Sequence, residues 1–178
     1  VVVDAGHGGS DPGASSASGK AEKSFTLAMS QKVSALLEQE PAIAVLMSRD
    51  TDTYVDLDER VAFANSQSAD IFVSIHGNSF TNPSLSGTET YYWRQESRKL
   101  ADTVHKHLAA ATGFPNRGVK QNNYRVITTT VMPAILLEVG YLSNPSDESD
   151  LYDEQFQNKA AAAIAAGIKE YLGIAPAG

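Results

Sequence analysis

Three short apolar runs most constrain what this chain can fold into: Val1-Val2-Val3, Ile71-Phe72-Val73-Ser74-Ile75 and Ala134-Ile135-Leu136-Leu137-Glu138-Val139. They have the length of strands rather than helices, and they lack the polar alternate positions of a sheet with one wet face. Such strands need cover on both sides. The segments between them supply it. Phe25, Met29, Val33, Leu36 and Leu37 recur at spacings of three and four, predicting a helix from about Glu22 to Glu40 that Pro41 ends. Leu57, Val61 and Ala64 mark a second helix. Leu100, Val104, Leu108 and Ala111 mark a third, stopping near Gly113 and Pro115, and Phe156, Ala160, Ile164, Ile168 and Tyr171 mark the last. Ala44–Ser48, the β-branched and aromatic Thr88–Trp93, and Tyr124–Thr129 are further expected strands. Strands alternating with helices predict an α/β fold with an at least partly parallel sheet.

Composition removes several function classes. At 178 residues the chain fits one domain, expected over residues 1–173, with a Gly, Ala and Pro-rich tail or linker remnant at 174–178. A net charge of -7 argues against a nucleic-acid partner, and no apolar run approaches the roughly 18 residues of a membrane span. Cysteine is absent, which excludes a thiol nucleophile, a thiolate metal site and any disulfide. The apolar start at Val1 reads as a strand already under way, hence as a processed domain with a signal peptide lost upstream. Nothing in the sequence indicates an oligomer, so a monomer is the default expectation.

The ionisable residues fall in one place. His7 follows the first strand, His76 ends a central strand, and Glu138 ends a late one. Sites in open α/β sheets form beyond the carboxyl ends of the strands, so residues distant in sequence can meet there. Glu22, opening the first helix, is placed to join them. Two imidazoles and a carboxylate form a ligand set for catalytic zinc, which takes three protein ligands and leaves a position for water. This assigns His7, Glu22 and His76 as ligands of Zn2+ and Glu138 as general base. Each residue also has a structural reading. A single histidine is commonly a packed or surface residue, and Glu22 could complement the helix dipole. Glu138 interrupts a buried apolar run, where a carboxylate needs a metal, a proton-transfer role or an Arg or Lys partner. Asn78 is a candidate for substrate binding and equally an ordinary turn residue. His105 and His107, two apart on a helix, are poor chelators as a pair and read as surface residues. No Gly-x-Ser-x-Gly elbow occurs, and Gly6-His7-Gly8-Gly9 matches neither Gly-rich phosphate fingerprint.

Five ordered blocks then carry a family resemblance: Val2 to Ala14 with the core Asp4-Ala5-Gly6-His7-Gly8-Gly9; Ser48-Arg49-Asp50-Thr51-Asp52 continuing through Leu57 and Arg60 to Asn65; Ala69 to Ser79 around His76; Asn116-Arg117-Gly118-Val119-Lys120; and Met132 to Asn144 around Glu138. The chain resembles the zinc-dependent N-acetylmuramoyl-L-alanine amidases of the Amidase_3 type. The resemblance implies a single α/β domain with a central, mostly parallel (mixed) sheet flanked by helices on both faces. It implies zinc on His7, Glu22 and His76, with Glu138 as the catalytic glutamate. The substrate it implies is peptidoglycan, cut between the lactyl group of N-acetylmuramic acid and L-alanine, in the cell envelope or outside the cell. Some members carry a long inhibitory helix after the second histidine; Phe80 to Ser86 is too short for one, so no inhibitory helix is expected. A zinc carboxypeptidase of the stem peptide, a non-catalytic wall-binding module and a carbohydrate-cutting enzyme are the rival readings.

Overall fold

A computed structural model describes residues 1–174. Six strands form one sheet: β1 (Val2–Ala5), β2 (Leu46–Met47), β3 (Phe72–Asn78), β4 (Thr88–Tyr92), β5 (Asn116–Gln121) and β6 (Ala134–Tyr141), in the order β2-β1-β3-β6-β4-β5. β2, β1, β3 and β6 run parallel, while β4 pairs antiparallel with β6 and parallel with β5. The sheet is therefore mixed. Helices α1 (Glu22–Leu37), α2 (Leu57–Ser66), α3 (Arg98–Thr112), α4 (Arg125–Thr128), α5 (Pro145–Leu151) and α6 (Glu154–Tyr171) complete the fold.

Strand alternation sorts the core into two layers. Val3, Val73, Ile75, Ile135, Leu137 and Val139 pack with Phe25, Met29 and Val33 of α1, Leu100 and Val104 of α3, and Ile164 and Ile168 of α6. The intervening positions Val2, Phe72, Ala134 and Leu136 pack with Ala64 of α2 and Val126 and Ile127 around α4. Each fully buried large side chain, such as Phe25 or Phe72, contributes about 1.5–3 kcal/mol. Asp4, Ser74, His76 and Glu138 continue the second series toward the carboxyl ends of their strands. The sheet thus presents polar groups on one face at one end.

Local chemistry fixes the elements. Asp56 accepts from the Asp58 amide and Glu59 reaches back to the Asp56 amide, a capping box at the start of α2. Gly113, at φ 70°, ends α3 in the left-handed conformation. Helix α1 stops at Leu37, short of the expected Glu40; Glu38 caps it in the helical region, its amide donating to the Ser34 carbonyl. The expected strand at Ala44–Ser48 contracts to Leu46–Met47.

One expected strand is corrected. Tyr124–Thr129 is not a strand; its β-branched residues form the one-turn helix α4, which buries Val126 and Ile127. The strand at that end is instead Asn116–Gln121, whose Arg, Gly and Lys suit a sheet edge that must resist pairing with another chain. The tail expected at 174–178 lies, apart from Ile174, outside the described residues.

Candidate metal centre and active site

The site lies where the chain leaves β1 in one direction and β3 in the other, the switch point of the strand order. His7 follows β1, His76 lies in β3, and Glu22 opens α1. The structure brings them together: one donor atom from each lies within 4.8 Å of the others. Glu22 Oε2 is 3.1 Å from His7 Nε2, and Glu22 Oε1 is 3.0 Å from His76 Nδ1. The carboxylate also accepts the amides of Ala14, at 2.9 Å, and Gly77, at 3.1 Å. Burial alone would raise the Glu22 carboxyl, but hydrogen bonds and charge from His7 and His76 outweigh it and hold it well below the usual range. For His7, burial lowers the imidazole, and Glu22 and Asp11 together overcome that and raise it.

Glu138 is the register partner of His76 across β3 and β6, and so projects to the same side of the sheet one strand away. It is 8% exposed, and its Oε2 has no hydrogen-bond partner among the described residues. Burial, then the charges of Glu22 and Glu89, push its carboxyl well above the ordinary range. An unpartnered buried carboxylate beside a His–Glu–His donor set is what a divalent cation would complete. The residues present fit zinc, with the donor types and number of a catalytic site. Asp11 accepts from the other ring nitrogen of His7 at 2.8 Å, the outer partner that orients a ligating imidazole. A cleft of about 330 Å³ opens beside the two imidazoles, walled by Tyr54, Leu57, Tyr124 and Val126.

A sequence profile for N-acetylmuramoyl-L-alanine amidases, Amidase_3, matches residues 1–170. The chain belongs to this amidase family. It is 45% identical over 175 residues to the uncharacterized protein YqiI of Bacillus subtilis strain 168, covering 96% of this chain and 84% of that one. It is 39% identical over 174 residues to the probable cell wall amidase LytH of Staphylococcus epidermidis, covering 97% of this chain but 58% of LytH. Among solved structures, the catalytic domain of CwlV, an N-acetylmuramoyl-L-alanine amidase from Bacillus (Paenibacillus) polymyxa var. colistinus, superposes with a TM-score of 0.97 at 48% identity, covering 98% of each chain. The CwlD amidase of Clostridioides difficile, in complex with the GerS lipoprotein, superposes with a TM-score of 0.91 at 32% identity, covering 97% of each.

Several residues that shape this amidase-family site escaped the sequence reading. Arg49 and Arg60 are 4% and 2% exposed and brace the turn carrying His7. Arg49 donates to the carbonyls of Ala5 and Gly6, and Arg60 to those of Ala5 and His7 and to the Asp4 carboxylate at 2.8 Å. That bracing holds His7 at φ 60°, a left-handed conformation costly for a residue with a Cβ. The signal was present: Arg60 shares the apolar stripe of Leu57, Val61 and Ala64 in α2, where an exposed cation would not sit. Glycines give the three candidate ligands room. A Cβ at Gly6 would fall 2.3 Å from the His76 ring, and one at Gly13 would fall 2.6 Å from His7 and 2.7 Å from Glu22.

The remaining candidates divide. Asn78 offers its amide to Glu89 at 3.5 Å and takes the Ser79 amide at 2.8 Å, the second being a turn contact. His105 is corrected from surface to core: it is 5% exposed, wedged between Thr90 at 3.0 Å and Asn116 at 2.8 Å. His107 stays partly exposed and pairs with Glu170.

Proposed function

We propose that this protein hydrolyses the amide bond between N-acetylmuramic acid and L-alanine in peptidoglycan, with zinc on His7, Glu22 and His76 and Glu138 as general base. The observation that carries the reading is the unpartnered, buried Glu138 carboxylate one strand from a His–Glu–His donor set, in a chain of the amidase family. Bound zinc supplies a Lewis acid that acidifies water and polarises a carbonyl. Glu138 takes the proton of the attacking water and delivers it to the departing L-alanine nitrogen, one group acting first as base and then as acid. Its apolar strand keeps bulk water from competing for that proton. Asp11 and the Arg49–Arg60 brace hold His7 in place, and Asn78 is assigned to polar groups of the substrate. The relatives named cell wall amidases favour work in the cell envelope or outside the cell, and no described helix is long and apolar enough to cross a membrane. The chain is proposed to act without an activator, since residues 79–87, between β3 and β4, form a loop with no helix; a monomer is the proposed state.

Mass spectrometry of purified wall digested by the protein tests the reaction. The expected product is a stem peptide with a free L-alanine amino end. Release of a carboxyl-terminal residue would assign a carboxypeptidase instead, and new reducing ends a glycosidase. Gly6→Ala tests the metal assignment without touching a donor. The added methyl must displace the His76 imidazole, so zinc affinity by calorimetry should fall about 10–100-fold. Unaltered affinity would remove His76 from the ligand set.

A further inference from the structure

The geometry points to an anion subsite, formed by Arg117 and Lys120 around the buried Glu89, that takes a free carboxylate of the stem peptide next to the cut bond. It rests on the amidase reading above. Glu89 stands opposite Glu138 in the β4–β6 register, so His76, Glu138 and Glu89 make one row across three neighbouring strands. Glu89 is 1% exposed, yet it carries more counter-charge than it needs. Arg117 donates from Nε to its Oε1 at 2.5 Å, and Lys120 Nζ lies 3.0 Å from the same oxygen. The Tyr141 hydroxyl also donates to Oε1, at 2.7 Å, and the Tyr91 hydroxyl to Oε2. Burial alone would raise this carboxyl; the hydrogen bonds from Tyr91, Arg117 and Tyr141 outweigh it and draw it down to about 2.

One carboxylate and two cations leave a surplus of one positive charge, in a chain whose formal net charge is -7. A structural ion pair needs only one of them. The anion is buried while the side chains of Arg117 and Lys120 are 34% and 40% exposed, so the cations stand on the solvent side of the group that anchors them. Anchoring lowers the entropy lost when a ligand fixes them, and a guanidinium engaged through Nε keeps its terminal nitrogens for a carboxylate. The reach also fits. Adjacent strands are about 4.8 Å apart, which puts the cationic heads about 5–10 Å from Glu138. An extended peptide advances about 3.3–3.6 Å per residue, so the residue after L-alanine falls within that distance. A γ-linked glutamyl residue there leaves its α-carboxylate unused by the chain.

Two probes separate this from a purely structural cluster: N-acetylmuramoyl-L-alanyl-γ-D-glutamyl-L-lysine amide with the glutamyl α-carboxylate free, and the same compound with it amidated. Their dissociation constants are measured by calorimetry on zinc-loaded Glu138→Gln protein, which needs no turnover. The free carboxylate should bind about fivefold tighter, and the ratio should shrink as salt rises. Adding Lys120→Met should bring the ratio close to one, whereas Lys120→Arg should preserve it. Equal binding of the two probes, or a ratio that survives Lys120→Met, overturns the subsite. A wild-type digest lacking free L-alanine amino ends would instead overturn the amidase reading, whatever the binding ratio.

Discussion

Glu138→Gln should lower turnover of peptidoglycan about 10²–10⁴-fold, the range supplied by a positioned proton-transfer group, and leave zinc content unchanged. It should also stabilise the metal-free protein at neutral pH, an effect opposite to that of most changes in a buried strand. The unfolded chain releases the Glu138 proton near the ordinary 4.5, whereas the folded chain holds it to a much higher pH because of burial and the nearby charges of Glu22 and Glu89. Between those two values the folded state binds the extra proton, so wild-type stability falls as pH rises. Glutamine has no proton to hold. The variant's melting temperature in chelator should therefore exceed that of wild type at pH 7.5, and the gap should close by about pH 4. Adding zinc should narrow the gap too, since a neighbouring cation favours the ionised carboxylate. Undiminished turnover would remove Glu138 as base. A melting difference that ignores pH would remove the buried, protonated carboxyl.

What could be read from the sequence followed from burial. The strands that became β1, β3 and β6 were legible because they are covered on both faces, and a nearly unbroken apolar run has few other solutions. Glu138 was legible for the same reason: in Ile135-Leu136-Leu137-Glu138-Val139 it is the one residue that burial penalises. That His7 and His76 meet followed from the rule that α/β sites gather at strand ends. Strand β5 was hidden because an edge strand obeys another demand. Asn116-Arg117-Gly118-Val119-Lys120 carries the charge and glycine that discourage intermolecular pairing, and such residues give no strand pattern to read. α4 was hidden by the converse. Val126 and Ile127 have strand propensity, but tertiary burial against the sheet overrides it in a single turn. His105 was misread because a histidine satisfied by Thr90 and Asn116 depends on two partners that no local pattern reveals. The Arg49 and Arg60 braces depend likewise on contacts some 40 to 55 residues away along the chain.

Removing metal should abolish hydrolysis and lower the melting temperature by about 8–16 °C. The size follows from linkage: zinc at about 1,000 times its dissociation constant stabilises by about 4.1 kcal/mol, and in a chain this long each kcal/mol moves the midpoint by about 2–4 °C. His76→Ala deletes one of the three proposed donors, so its midpoint should respond neither to zinc nor to chelator. The same three residues dictate how pH acts. In the metal-free protein Glu22 is held ionised well below 4.5, so its contribution is present above pH 4.5 and is lost as pH falls through its folded value. His7 is raised above 6.5, so its contribution is complete below pH 6.5 and is lost as pH rises through its folded value. Both contributions overlap between pH 4.5 and 6.5, where the metal-free site is best held together by its own ion pairs. Zinc must displace the His7 proton, so its affinity should weaken from pH 8 to pH 6, by up to about tenfold for each unit over which one proton is released. Zinc loading therefore moves the stability optimum upward in pH, from the window set by the ion pairs to one where the His7 imidazole has lost its proton. Calorimetric titrations at pH 6 and 8, run alongside melting curves with and without chelator, check this. Equal affinity at both pH values, or a chelator-insensitive melting point in the wild type, would mean that no metal is held by these groups.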